Sequence, residues 1–330
     1  MFPLILIFAM GLSLFFSFWN GFTDASYAIC DIIGTRALKP IHAVIMATVC
    51  NMIGMLFGTA VAFTIATGII SESMMSGEVI IAALVGALIF DIITSWVYAL
   101  PISETHVLIG GLIGAGIGAG GLGVVKYVEI INKVLTPMIV LPFISIIATF
   151  VIGCLLIRSF RGFAASKVNR CFKILQVLIS MIFSITSGGN AGQKIMGIMT
   201  ILLIYYGYLS QFIVPFWVII STYVTLSLGI FLGGWKVVQT MATKITRLRP
   251  YQGVSIDIVG SLILGFTALT GYPMSSTHVI NGTIIGAGLC QRTKAIKWGM
   301  TRKIIVAWIL SIPLSAIMAY IIFNIIKFFV

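Results

Sequence analysis

Apolar segments long enough to cross a bilayer follow one another along almost the whole chain, as in Val79 to Leu100 and Ile304 to Phe323, with short polar connections between them. A membrane-spanning helix takes about 20 apolar residues, so 330 residues hold roughly ten crossings and no separate water-soluble domain. Membrane barrels are written in short alternating segments; continuous runs make the fold class all-α and polytopic. The net charge of +12 is not a nucleic-acid signal, because the basic residues gather in inter-helix loops, as the positive-inside bias requires. The first apolar segment has no basic leader and no clear cleavage site before Asn20, and reads as a span rather than a signal peptide. The five cysteines stand singly and read as buried thiols.

The chain is a duplication. Pro101 to Gly116 (PISETHVLIGGLIGAG) and Pro273 to Gly288 (PMSSTHVINGTIIGAG) agree at ten of sixteen positions. Each copy has a polar, glycine-bearing element upstream: Asn20 to Ser26 in the first, Gly188 to Gln193 in the second. Charge gives the orientation. Residues 158–173 hold five basic residues and no acid, 236–249 hold four and 292–303 hold five, so these loops, with Arg36 and Lys39, belong to the cytoplasmic side. Glu72 and Glu78 mark an outward loop, and Gly118 to Lys133, with Lys126 and Lys133 against Glu129, gives only a mild signal. Residues 79–118 then go in and return outward, while 254–290 leave the cytoplasmic side and return to it. The expectation is an inverted-topology repeat: a first half over 1–157 with a re-entrant tip near 101–106, a basic linker over 158–173, and a second half over 174–330 with a tip near 273–278. The first crossing of each half is too long for one straight span, so both helices are expected to break, at Asn20 to Asp24 and at Ser187 to Asn190.

Candidate chemistry sits at these polar interruptions, since irregular backbone survives in hydrocarbon only inside protein or around a cavity. Pro101 and Pro273 suit the first turn of a helix, and a helix start attracts anions through its free N–H groups and its dipole. Two opposed starts make a cradle for a small oxyanion, lined by Ser103, Thr105, Ser275, Ser276 and Thr277, with Asn190, Gln193 and the buried-looking cation Lys194 nearby. Asp24, with Asn20, Thr23 and Ser26, supplies hard oxygen ligands for a monovalent cation or a protonatable site. Glu104, whose counterpart is Ser276, would repel an anion unless neutralised, which makes it a coupling group; sodium at Asp24 and Glu104 is one form of that coupling. His106 and His278 are expected to orient hydroxyls rather than hold a metal. Asp91 and Asp257 read as structural partners, and Asp31 as part of a charged helix end. No nucleophile and base pair or cofactor fingerprint points to an enzyme.

These motifs, together with Thr35-Arg36-Ala37-Leu38-Lys39-Pro40, Gln193-Lys194-Ile195-Met196-Gly197, and Lys244-Ile245-Thr246 followed by Pro250-Tyr251-Gln252-Gly253, resemble the inorganic phosphate transporter (PiT) family over nearly the whole chain. The resemblance implies a secondary symporter that moves inorganic phosphate, free or as a metal-phosphate complex, with sodium ions or protons. It further implies a homodimer embedded in the lipid bilayer of the cell membrane, with no cofactor beyond the coupling ion. It places Asp24, Asn190, Gln193 and the Ser and Thr of both tips around the phosphate and cation sites. The chain departs from the family pattern at Thr23-Asp24 and Asn190-Ala191, where Asn-Asp is usual, at Tyr27 for Asn, at Ser187 for His, and at Glu104 for Ser or Thr. The alternatives from sequence are a transporter of sulfate or another small oxyanion, and a transport-inactive, receptor-like relative.

Overall fold

The structure, a computed structural model, describes residues 3–98, 100–233, 238, 248–291 and 296–329, without the side chains of Ser26 and Ala165. Lys244-Ile245-Thr246 and much of the basic loops 236–249 and 292–303 lie outside the described residues. Among the described residues the regular structure is helical, apart from one isolated bridge.

The first half holds α1 (Leu4–Gly34), α2 (Pro40–Ile53), α3 (Ala60–Thr67), α4 (Gly77–Asp91), α5 (Glu104–Gly120), the short α6 (Tyr127–Ile130) and α7 (Thr136–Ser159). The second holds α8 (Ala165–Tyr205), α9 (Phe216–Leu232), α10 (Pro250–Thr270), α11 (Ser276–Leu289) and α12 (Trp298–Phe329). Seven helical stretches among the described residues are long and apolar enough to cross a membrane, and Phe216–Leu232 is a shorter apolar helix.

Both expected helical hairpins are present. In the first, α4 and a π-helical extension, Ile92–Val97, lead to the tip, and α5 returns. Its base is closed by an antiparallel bridge between Ile70 and Val125 and by Lys126 beside Glu72 at 3.7 Å. This ties the weakly charged loop to the acidic one, and Lys133 is matched by Glu129 at 3.1 Å. In the second, α10 ends at Gly271, whose φ of 82° is left-handed, and α11 returns. Gln252 closes the base by donating to Ala287 O and accepting from Gln291 Nε2.

The expected helix breaks do not occur. α1 runs through Asn20 to Asp24 and α8 through Ser187 to Asn190 as continuous helices of 31 and 41 residues. At 1.5 Å per residue they extend about 46 and 62 Å, more than a hydrocarbon core of about 30 Å, a surplus that tilt and projection take up without a break. The glycines in these segments serve close packing. A Cβ on Gly21 would run into the Leu226 carbonyl of α9, one on Gly188 into Asn51, and one on Gly189 into the Phe57 ring. The halves interlock accordingly: α1 packs on α9, α8 on α2 and α3, α5 on α12, and α11 on α7. Of the cysteines, Cys30 and Cys50 are buried as expected, whereas Cys154 and Cys290 are half-buried on the facing helices α7 and α11 and Cys171 is exposed.

Candidate functional site at the meeting of the two hairpins

Each hairpin helix begins at a serine cap. Ser103 Oγ accepts from His106 N at 3.2 Å and Ser275 Oγ from His278 N at 3.4 Å. The helices therefore start at Glu104 and Ser276, with Pro101 and Pro273 two residues ahead of the caps and outside the first turn where they were expected. The serine hydroxyl satisfies an otherwise unpaired N–H, which proline in that position does not do. The two tips then clasp reciprocally. Thr105 Oγ1 donates to Met274 O at 3.1 Å, and Thr277 Oγ1 donates to Ile102 O at 2.7 Å, the same bond made from opposite copies of the repeat. All of these residues are buried.

α1 and α8 supply the charges. Tyr27 of α1 donates to Ile102 O at 3.0 Å and lies 3.5 Å from Glu104 Oε1. Lys194 of α8 donates to Thr105 Oγ1 at 2.7 Å and interacts electrostatically with both Asp24 and Glu104. Thr23 bonds back to the carbonyls of Trp19 and Asn20 and also reaches Glu104. Asp91, at the end of α4, is within electrostatic range of Glu104 and Asp24; Ser95 donates to its Oδ1, and the Trp19 side chain is within hydrogen-bonding reach of the carboxyl group. Asn20 has neither amide atom paired, and Asp24 Oδ1 is also unpaired. Ser26 was named with this group, and its side chain is outside the described residues.

Residues 20–319 match the family described as the phosphate transporter family. The chain belongs to that family. A "Probable low-affinity inorganic phosphate transporter" of Rhizobium meliloti (strain 1021) is 39% identical over 96% of this chain and 95% of its own length. A protein of the same description from Bacillus subtilis (strain 168) is 36% identical over 95% and 96%. A solved structure titled "The sodium-dependent phosphate transporter" superposes with a TM-score of 0.87 at 21% identity, over 99% of this chain and 100% of that one, a likeness of fold. The family is one of transporters, so this multi-pass membrane protein is not an enzyme.

Within this family member the sequence-named residues divide. Ser103, Glu104, Thr105, Ser275, Thr277, Lys194, Asp24 and Thr23 gather at the tip junction, and Ser276 joins them 3.4 Å from Ser187 of α8. Gln193 does not offer itself to a ligand. Its Oε1 accepts from Val61 N at 2.7 Å and its Nε2 donates to Gly189 O and Ala268 O, so it caps the start of α3, where a helix leaves N–H groups without carbonyls. Asn190 is half committed: its Nδ2 bonds Thr267 and Tyr272 O while Oδ1 stays unpaired. The histidines do not orient tip hydroxyls. His106 and His278 pack ring to ring at 4.5 Å, His278 stacks on Trp308 at 3.8 Å, and His106 Nδ1 meets Trp308 O, which seats both tips against α12. Sequence reasoning missed Tyr27 and Asp91 as site residues. The signal for Asp91 was present, as a carboxylate inside an apolar run.

Proposed function

We propose that the protein imports inorganic phosphate across the cell membrane by symport with sodium ions or protons, with alternating access around the hairpin junction. One observation carries this reading: two helix N-termini from opposite copies of the repeat meet where one buried ammonium, Lys194, interacts with the buried carboxyl groups of Asp24 and Glu104, and a third buried carboxyl group, Asp91, lies within electrostatic range of those two. The first N–H groups of α5 and α11, with the Thr105 and Thr277 hydroxyls, suit an oxyanion once the tips part. The surplus of carboxyl groups repels that anion until cations or protons neutralise it. Each ligand therefore raises the affinity of the other, by the same factor in both directions. A net positive charge carried inward with the anion draws about 2.3 kcal/mol per 100 mV from the membrane potential.

The opposed hairpins support an inverted-topology repeat, and parting of the Thr105–Met274 and Thr277–Ile102 bonds is the step that opens one side. The relatives described as inorganic phosphate transporters support the substrate, and the fold neighbour's sodium dependence supports sodium as the coupling ion at Asp24 and Glu104. The family resemblance supports a homodimer.

The test is radiolabelled phosphate uptake into proteoliposomes under an imposed sodium gradient, a proton gradient or neither, with sulfate as competitor. Uptake is expected under one gradient and is expected to be lost in Asp24→Asn and Glu104→Gln. Folded protein that takes up no phosphate under any gradient, or takes up sulfate in preference, overturns the reading.

A further inference from the structure

Five acids are buried among the described residues, and Lys194 is the single buried Lys or Arg among them. Three of those acids belong to the tip junction. The other two, Asp31 and Asp257, lie elsewhere. Asp31 follows Asp24 by seven residues on α1, about 10 Å along the axis, and is fully buried instead of ending the helix in water as the sequence suggested. Asp257 projects from α10 and is also fully buried.

The two carboxyl groups are within hydrogen-bonding reach of each other. Their outer oxygens are held by donors from α8: Gln176 Nε2 donates to Asp31 Oδ2 at 2.7 Å, and Ser180 Oγ donates to Asp257 Oδ2. Thr35 Oγ1 donates to Gln176 Oε1 at 2.7 Å, on the side of the amide away from Asp31. The remaining oxygens, Asp31 Oδ1 and Asp257 Oδ1, accept no well-formed hydrogen bond from another donor among the described residues. Cys30 is the other titratable group facing the pair from α1, and α8 contributes only the neutral Gln176 and Ser180. Arg36, just past α1, is exposed and makes no bond to either acid.

No cation among the described residues faces the pair; two adjacent ionised carboxylates buried in that way repel each other, and the stable form holds one proton between them. We infer that Asp31 and Asp257 form a second ion-binding site, separate from the tip junction, whose ligand is a single proton shared between the two carboxyl groups. The donor set favours a proton: a sodium site would turn the Gln176 oxygen inward as a ligand, whereas here Gln176 presents its N–H and Ser180 its O–H to the outer oxygens, leaving two carboxyl oxygens for one proton. The site joins the first helix of one half to the hairpin of the other, and it is independent of which ion drives transport.

Infrared difference spectra of the full-length protein in proteoliposomes test this. Native minus Asp31→Asn and native minus Asp257→Asn are each expected to show loss of one protonated-carboxyl C=O band, the same band in both. Ser180→Ala, which keeps both acids, is expected to shift that band without removing it, and so decides the question if the Asn variants fail to fold. Sodium added to the native protein is expected to leave the band in place. A band that persists in either Asn variant, that does not move in Ser180→Ala, or that sodium abolishes overturns the proposal.

Discussion

Thr105 and Thr277 make equivalent bonds across the tip junction, yet their loss should not be equivalent. Thr105 Oγ1 both donates to Met274 O and accepts from Lys194 Nζ, so Thr105→Val strips a buried ammonium of its hydrogen-bond acceptor. Thr277 Oγ1 donates to Ile102 O, which keeps the Tyr27 hydroxyl as a second donor after Thr277→Val. An unsatisfied buried polar group costs about 1–3 kcal/mol and more when charged, against about 1 kcal/mol for a hydrogen bond whose partner stays satisfied. Thr105→Val should therefore lower the thermal midpoint in detergent clearly more than Thr277→Val. Equal shifts would mean that Lys194 finds another acceptor among the carboxylates around it. Tyr27 carries a further lesson at this scale. In the sequence it is a departure from the family pattern, and its value appears only where Ile102 O and Glu104 come within reach of its hydroxyl, a fact of tertiary geometry.

At the scale of elements, the hairpins were legible and the long helices were misread. The repeated Pro-x-Ser-x-Thr-His pattern, with basic and acidic loops on either side, carries enough information to place both hairpins and their tips. Glycine next to polar residues is ambiguous, because it both weakens a helix and lets helices approach closely. Only the partner helix resolves which use applies, and here Gly21 lies against the backbone of α9 while Gly188 and Gly189 lie against α2 and Phe57. The buried acids show the same limit: Asp91 and Asp31 announce that something must neutralise them, and the sequence does not say what. The packing role makes a prediction with a sign. By helix propensity alone, Gly→Ala stabilises by about 1 kcal/mol. In Gly21→Ala the new Cβ meets the Leu226 carbonyl, and overpacking of this kind costs about 1–3 kcal/mol, so the variant should be less stable. Gly11→Ala, on the same helix with open space around it, should be neutral or stabilised. Thermal unfolding of both variants in one detergent checks the contrast, and a stabilised Gly21→Ala would show that α1 and α9 do not cross there.

At the scale of the molecule, α1 relates the two hairpins to the membrane. Near its start, Ile5 lies beside Gly77 at the base of the first hairpin, together with Tyr206 just past the end of α8. Near its end, Asp31 binds Gln176 in the first part of α8, and Gln176 lies against Gly253 at the base of the second hairpin. α1 and α8 thus run in opposite directions, and the two bases stand at opposite ends of a helix about 46 Å long, which exceeds the hydrocarbon core by about half. The inverted-topology proposal therefore predicts that the bases face opposite sides of the membrane. Gly123, exposed beside the Ile70–Val125 bridge, and Cys171, exposed near the start of α8 within the basic linker, give one reporter for each side. In intact cells producing a variant whose other cysteines are removed, a membrane-impermeant thiol reagent should modify a cysteine at Gly123→Cys, while Cys171 should react only after the membrane is opened. If both react from outside, or neither does until the cells are opened, the hairpins enter from the same face. In that case the tips could not meet across the molecule as a gate that opens to one side at a time.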